Sequence, residues 1–223
     1  MRMSELSATT GTPVPTLKFY LREGLLPAGE RTSPNQSQYD ETHVARVRLV
    51  RALLDVGGLT VAQASAVVSA LDDDSVPLST TFGIAQRAVT QPAPPATSEA
   101  NGAARIAELC ASRDWAVYPN NPGLTMAARV IDTYSALGVD VITEAALERY
   151  AQAADLVAAA DLEAVASAHD EAQMTNVVVV GTVLGDALFA GLRRIAQEAE
   201  SFRRFPLPEG TPAPGDLTDH KDC

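Results

Sequence analysis

Residues Thr12–Leu26 read TPVPTLKFYLREGLL, and this stretch decides the fold of the first part of the chain. Pro13 and Pro15 suit a first helical turn, where the N–H groups they lack would have had no intrahelical partner. Gly24 supplies the stop, because glycine takes the left-handed end conformation at little cost. Between these marks Leu17 and Leu21 fall four apart on one face, and Leu25 follows them into the turn. That face is expected to be buried. Thr16, Lys18, Phe19, Tyr20 and Arg22 lie largely elsewhere around the helix, with Lys18 and Arg22 forming a basic pair at i and i+4. Such a face suits phosphates or bases, while the plainer reading is a surface helix with solvated charges.

The flanking sequence favours the first reading. A short helix is expected from Ser4 to about Thr10, ending at Gly11, so two short helices meet across a tight glycine-containing connection. This is the helix-turn-helix pattern, whose second helix enters the major groove. After Leu26 the run PAGERTSPNQSQYD is rich in turn formers, contains Arg31 and ends on Tyr39 and Asp40, which suits a two-stranded wing.

The order of helix, turn, KFYLREGLLP, an Arg-bearing wing ending in Tyr-Asp and then two more helices resembles the DNA-binding domain of the MerR transcriptional regulators, over roughly the first seventy residues. The resemblance implies a winged helix-turn-helix domain that binds as a homodimer to a pseudo-palindromic element in double-stranded promoter DNA. Members of the family typically untwist a promoter spacer so that RNA polymerase engages both of its elements. The implied DNA-contacting residues are Thr16, Lys18, Phe19, Tyr20, Arg22, Arg31 and Tyr39. Lys18 stands where the family usually has Arg; it still donates to a phosphate but loses the bidentate fork. Phe19 and Tyr20 stand at the family's aromatic pair, where Tyr20 keeps a hydroxyl and Phe19 only packs. Arg31 matches the wing arginine. Pro15 and Ser37 depart from the pattern, standing where many members carry a donor, so fewer direct contacts are expected.

The chain has 223 residues, enough for two domains, and its 46% hydrophobic content supports real cores. Aromatics make up only 5%, so those cores are expected to be built from Ala, Val and Leu. A net charge of −11 is unusual for a DNA binder until it is divided along the chain: seven basic and six acidic residues precede or include Leu71, and ten and twenty-two follow it. The acidity belongs to the second part, leaving a locally basic face for phosphates. The first twenty residues lack an apolar run behind a basic start, and Val177–Leu192 is interrupted by Gly181, Gly185 and Asp186. A soluble cytoplasmic protein without a membrane partner is the expectation.

Asp40 is a fitting N-cap for a third helix from about Glu41 to Val56, with Val44, Val47, Val50 or Arg51, and Leu54 as its buried stripe. Arg46 and Arg48 lie off that stripe and could touch DNA backbone, and His43 could cap the helix or contact a phosphate, but solvated surface is the plainer reading of all three. Gly57 and Gly58 end that helix, and Thr60 with Gln63 forms a capping box for a fourth, whose apolar face is Val61, Ala64, Val67, Val68 and Leu71. The first domain is then 1–74. A short helix from Leu78 to about Gln91 and the Pro-rich run Pro92–Ala96 form a linker over 75–97. The long coiled-coil helix usual at this place in the family is missing, so dimer contacts are expected partly from the second domain.

That domain, 98–206, reads as an all-helical bundle, and 207–223 as a disordered tail. Helices are expected to start at Ser98, at Asn121–Pro122 and at Thr143, with Leu162 and Val165 leaving open a separate further helix. The last runs from near Thr175 to Phe205; β-branching at Val177–Val180 would allow a strand, but the spacing of Val183, Leu184, Ala187, Leu188, Leu192 and Ile195 favours helix. The fold class is therefore mainly α, a winged helix-turn-helix with a small β-hairpin followed by a helical bundle.

No paired-carboxylate or Ser, His, acid order stands out, so an enzyme is not expected. Cys110 stands alone on an apolar face, and the tail residues Asp219, His220, Asp222 and Cys223 read as a polar terminus, so neither a metal site nor another cofactor is expected. Trp115 and Tyr118, in the loop RDWAVYPNNPG, either wall a pocket for a small apolar effector or plug helix ends; a chain so poor in aromatics favours the plug. Two functions remain open. One is a regulator that grips promoter DNA and senses an effector; the alternative is a protein-interaction module tethered to DNA without a small-molecule ligand.

Overall fold

The structure, a computed structural model, describes residues 1–33, 36–73, 75–90, 101–139 and 141–205. The Pro-rich run Pro92–Ala96, the helix start expected at Ser98 and the tail 207–223 lie outside the described residues. The chain divides into a unit Met1–Gly185 and a second unit Asp186–Cys223.

The first unit opens with α1 (Met3–Thr10) and α2 (Val14–Arg22), a hairpin of β1 (Glu30–Ser33) and β2 (Gln36–Gln38), α3 (Glu41–Arg51), α4 (Val61–Leu71) and α5 (Leu78–Val89). It continues with α6 (Gly102–Ser112), α7 (Pro122–Ala136) and α8 (Glu144–Ala166), and α9 (Glu171–Arg204) begins within it. A winged helix-turn-helix followed by helices is thus the observed architecture. Val177–Val180 is helical.

Stop and start signals act where the residues suggest. Gly11, Gly24, Gly58 and Gly138 all take positive φ, from 63° to 72°. The Asp40 side chain accepts from the Thr42 and His43 N–H groups at the start of α3, and Thr60 with Gln63 closes a reciprocal box at the start of α4. Thr143 caps α8 by accepting from the Ala146 N–H.

The N-terminal core gathers Leu6, Leu17, Leu25, Leu26, Val44, Val47, Val50, Leu53, Val67 and Val68, joined by Ala85 of α5 and by Val179 and Val183 of α9. One detail departs from the sequence reading. A π-helical segment, Ala52–Val56, continues α3, and in it Leu53 is fully buried while Leu54 is only partly so. Gly57 lies against Val183 so closely that a Cβ there would collide with it.

A second core joins Ile106 of α6, Ala128 and Ile131 of α7 and Leu147 of α8, with Cys110 packed at its edge. Gly102 permits the close approach of α6 to α7: an added Cβ would run into the Ala128 carbonyl, and the Gly102 N–H donates to Asp132 Oδ1 at 2.8 Å. Helix α8 runs unbroken to Ala166, so Leu162 and Val165 belong to it and start no separate helix. By length and composition Gln173–Arg204 would suffice to cross a membrane, with a mean hydropathy of 1.6 in its most apolar window, yet Val178, Val179 and Val183 are buried in protein.

Candidate nucleic-acid interface

Helix α2 is held from beneath. Leu17 is 0% exposed and Tyr20 5%, while Lys18 and Arg22 are exposed and Thr16 and Phe19 half-buried. The entry turn is fixed by Gly11, by buried Thr12, and by the Ser7 hydroxyl donating to the Thr12 carbonyl at 2.7 Å. At the exit the Leu25 and Leu26 N–H groups donate to the Tyr20 carbonyl at 2.9 and 3.2 Å, which carries both leucines into the core past Gly24. Helix direction and the outward set of side chains are therefore set by buried neighbours on both sides.

Arg22 stacks its guanidinium over Phe19, 5.3 Å from the ring centroid, and its Nε lies 3.3 Å from Glu23. Both contacts are solvent-exposed and weak, so the charge stays available to a phosphate. Burial of Tyr20 pushes its phenol up, helped by the nearby Asp55 carboxylate and opposed by Arg51, so it is a neutral hydrogen-bonding group at working pH.

The wing stands on a second set of anchors. Arg31 pairs in register with Ser37, is exposed, and reaches out from β1. Tyr39, at the foot of the wing, is 7% exposed; burial pushes its phenol up while a hydrogen bond with Ser37 opposes the shift. Its backbone exchanges two hydrogen bonds with Met1: the Met1 ammonium donates to the Tyr39 carbonyl at 2.6 Å, and the Tyr39 N–H donates to the Met1 carbonyl at 2.8 Å. Gly29 lies against the same ring so closely that a Cβ would overlap it and the Gln38 carbonyl. Lys18, Arg22 and Arg31 thus form the exposed cationic members of the expected site, whereas Tyr20, expected off the buried face of α2, packs into the core with Leu17, and Tyr39 is buried at the foot of the wing.

His43 departs from the surface role read from sequence. It is 8% exposed, edge-on to Tyr39 at 5.1 Å between ring centroids, with Nδ1 2.7 Å from Asp40 Oδ1 and Nε2 buried without a partner among the described residues. The available signal was its place three residues after an N-cap Asp, the spacing of a capping box. Arg46 also turns inward, pairing through its fork with Asp72 just past α4 and so fixing α3 to α4.

Trp115 and Tyr118 separate. Trp115 is half-buried, donates Nε1–H to Asp155 at 2.8 Å, and carries the Arg113 guanidinium over its ring at 5.4 Å. Arg113 reaches Glu148 at 2.5 Å and also pairs with Asp155; its hydrogen bond holds the Asp155 carboxyl below the usual range, with Trp115 adding to the effect. Tyr118 is 78% exposed. A groove of about 510 Å³ opens elsewhere, between Val89 of α5 and Met126, Arg129, Val130 and Tyr134 of α7. Among the described residues no group of three or more His, Cys, Asp or Glu side chains could hold a metal ion.

Residues 1–71 match the MerR HTH regulatory protein family. The nodulation protein NolA of Bradyrhizobium elkanii is 45% identical over 56 residues, which are 25% of this chain and 26% of that protein. The HTH-type transcriptional regulator ZntR homolog of Haemophilus influenzae is 36% identical over 50 residues, 22% of this chain and 37% of that one. The chain thus covers only 26% and 37% of the length of these two curated relatives. A crystal structure from Streptomyces coelicolor A3(2), described as that of a transcriptional regulator, is 32% identical with a TM-score of 0.70, covering 93% of this chain and 99% of that one.

Proposed function

Because the chain belongs to the MerR family of transcriptional regulators, we propose that it binds double-stranded promoter DNA as a homodimer, each copy placing α2 in the major groove and the wing against the backbone. The observation that carries this reading is the division of α2 into a fully buried side, Leu17, and an exposed cationic side, Lys18 and Arg22, on a helix locked at both ends. Half-buried Thr16 and Phe19 border that face, Arg31 supplies the wing contact, and Tyr20 and Tyr39 support helix and wing from within the core. Lys18, Arg22 and Arg31 contact phosphates, which position the protein, and base edges are read by fewer side chains because Pro15 offers no donor. RNA polymerase is engaged indirectly, through the shape imposed on the promoter.

In this reading 1–74 binds DNA, and the helical part, 98–206, contributes dimer contacts and takes up a small apolar effector, with Trp115 and Tyr118 at its loop. Exposed Tyr118 is open to contact with a ligand, while Trp115, its N–H already satisfied by Asp155, is held in the packing between the loop and α8. The protein acts in the cytoplasm, where its DNA is, and has no catalytic role. The experiment is hydroxyl-radical footprinting of the purified protein on the region upstream of its own gene. Two protected half-sites related by a dyad support the reading; protection without a dyad refutes the dimeric mode, and protection indistinguishable from random DNA refutes promoter recognition there.

A further inference from the structure

Among the described residues, the C-terminal half of α9 carries an apolar seam that is left exposed. Leu188 is 64% exposed, Leu192 53% and Ile195 63%, although leucine and isoleucine are among the residues most often buried. With Ala199 and Phe202 they recur at intervals of four, three, four and three residues, which is the a/d repeat of a coiled coil. Leu188, Ile195 and Phe202 occupy d, and Leu192 and Ala199 occupy a.

The flanking charges identify the partner and its direction. On this register Glu198 falls at g and Arg203 at e, five residues later. In a parallel two-stranded coil a g side chain meets the e side chain five residues on in the other strand, so Glu198 of each copy would meet Arg203 of the other. In an antiparallel coil g faces g and e faces e. The g positions are Gly191, Glu198 and Phe205, the e positions Phe189, Ala196 and Arg203, and neither set holds two opposite charges. Arg203 rests 2.9 Å from Glu200 in the single chain, an exposed contact that is readily exchanged, and Glu200 keeps Arg204 at 2.5 Å when Arg203 leaves.

We propose that residues 188–202 of α9 form a parallel, in-register coiled coil with the same residues of a second copy. This rests on the homodimeric reading above and gives that dimer a defined interface, with the two-fold axis along the seam and every residue facing its own counterpart. A lipid surface is the competing occupant for an exposed apolar helix. Seven charged residues between Asp186 and Arg204 oppose burial of this half in hydrocarbon, and the Glu198 and Arg203 match favours the second copy.

The test uses the full chain. Sedimentation equilibrium is run on wild type and Leu192→Glu, with air oxidation of Ile195→Cys in a Cys223→Ser background; the parent retaining Cys110 serves as control. A dimer whose dissociation constant rises about thirtyfold or more in Leu192→Glu, and a disulfide at position 195 formed in high yield only when that cysteine is present, are expected. Glu198→Arg should weaken the dimer, and Glu198→Arg with Arg203→Glu should restore it. A dimer untouched by Leu192→Glu and not cross-linked at 195 overturns the seam while leaving the homodimeric reading intact. A monomer at all concentrations overturns both. Monomers that co-sediment with phosphatidylglycerol and phosphatidylethanolamine vesicles, and lose this in Leu192→Glu, assign the seam to lipid.

Discussion

Leu17 and Lys18 are neighbours in sequence and should behave as if they belonged to different proteins. Leu17 is 0% exposed within the N-terminal core, in company with Leu6, Leu25 and Val47. Leu17→Ala removes three buried carbons, at about 0.8 kcal/mol each, and leaves a cavity that the close-packed valines fill only in part. The two effects together come to about 3–4 kcal/mol. For a cooperative unit of one to two hundred residues this lowers the melting temperature by roughly 8–15 °C. Lys18→Ala removes an exposed side chain and should move stability by no more than about 0.5 kcal/mol, while weakening DNA binding across many sequences. Melting followed by circular dichroism at 222 nm, with DNA affinity measured at 10 °C where both variants are folded, separates the two. Loss of stability in Lys18→Ala equal to that in Leu17→Ala, or full DNA affinity in Lys18→Ala, would refute the assignment of the two faces of α2.

Other perturbations probe the supports. Thr60→Ala removes the cap of α4 and should cost about 1 kcal/mol, read as a lower urea midpoint with an unchanged slope and no change in DNA affinity of the folded protein. Gly102→Ala forces a methyl group against the Ala128 carbonyl and should destabilise the helical part by about 1–3 kcal/mol; Trp115, the chain's single tryptophan, reports the loss by fluorescence. The Asp40 carboxyl is held well below the usual carboxylate range, first by the Thr42 hydroxyl and then by His43. Its folded-state pKa is depressed, so its stabilisation is full above about pH 4, near the unfolded value, and is lost as pH falls below that. Acid unfolding of Asp40→Asn, which keeps a capping oxygen but no titrating group, should therefore be less steep with pH in that window, and an identical acid limb would contradict the assignment.

Much of the N-terminal part was legible because its signals are local. Pro13, Gly24, Asp40 and Thr60 act within a turn of the helix ends they mark, and local chemistry decides such ends without tertiary help. The stripe expected to reach Leu54 has Leu53 as its fully buried member instead, in a π-helical segment that an α-helical spacing does not describe. His43 lies inside because Tyr39 arrives from the wing to cover it, a packing choice that its own neighbours in sequence do not encode. Helix α8 carries so many alanines that its apolar periodicity fades past Val157; alanine's strong helix propensity keeps it continuous to Ala166. The Trp115 bond to Asp155 spans forty residues of sequence and depends on how α8 passes the loop, so no motif announces it.

The central claim is that α2 and the wing hold DNA through phosphates. The most direct test is fluorescence anisotropy of the full chain on its own upstream region across a salt series, for wild type and for Lys18→Ala. The account predicts steep salt dependence in wild type, with the slope of log K against log salt reduced by about one per copy in the variant. Identical slopes and affinities in the two proteins would contradict it.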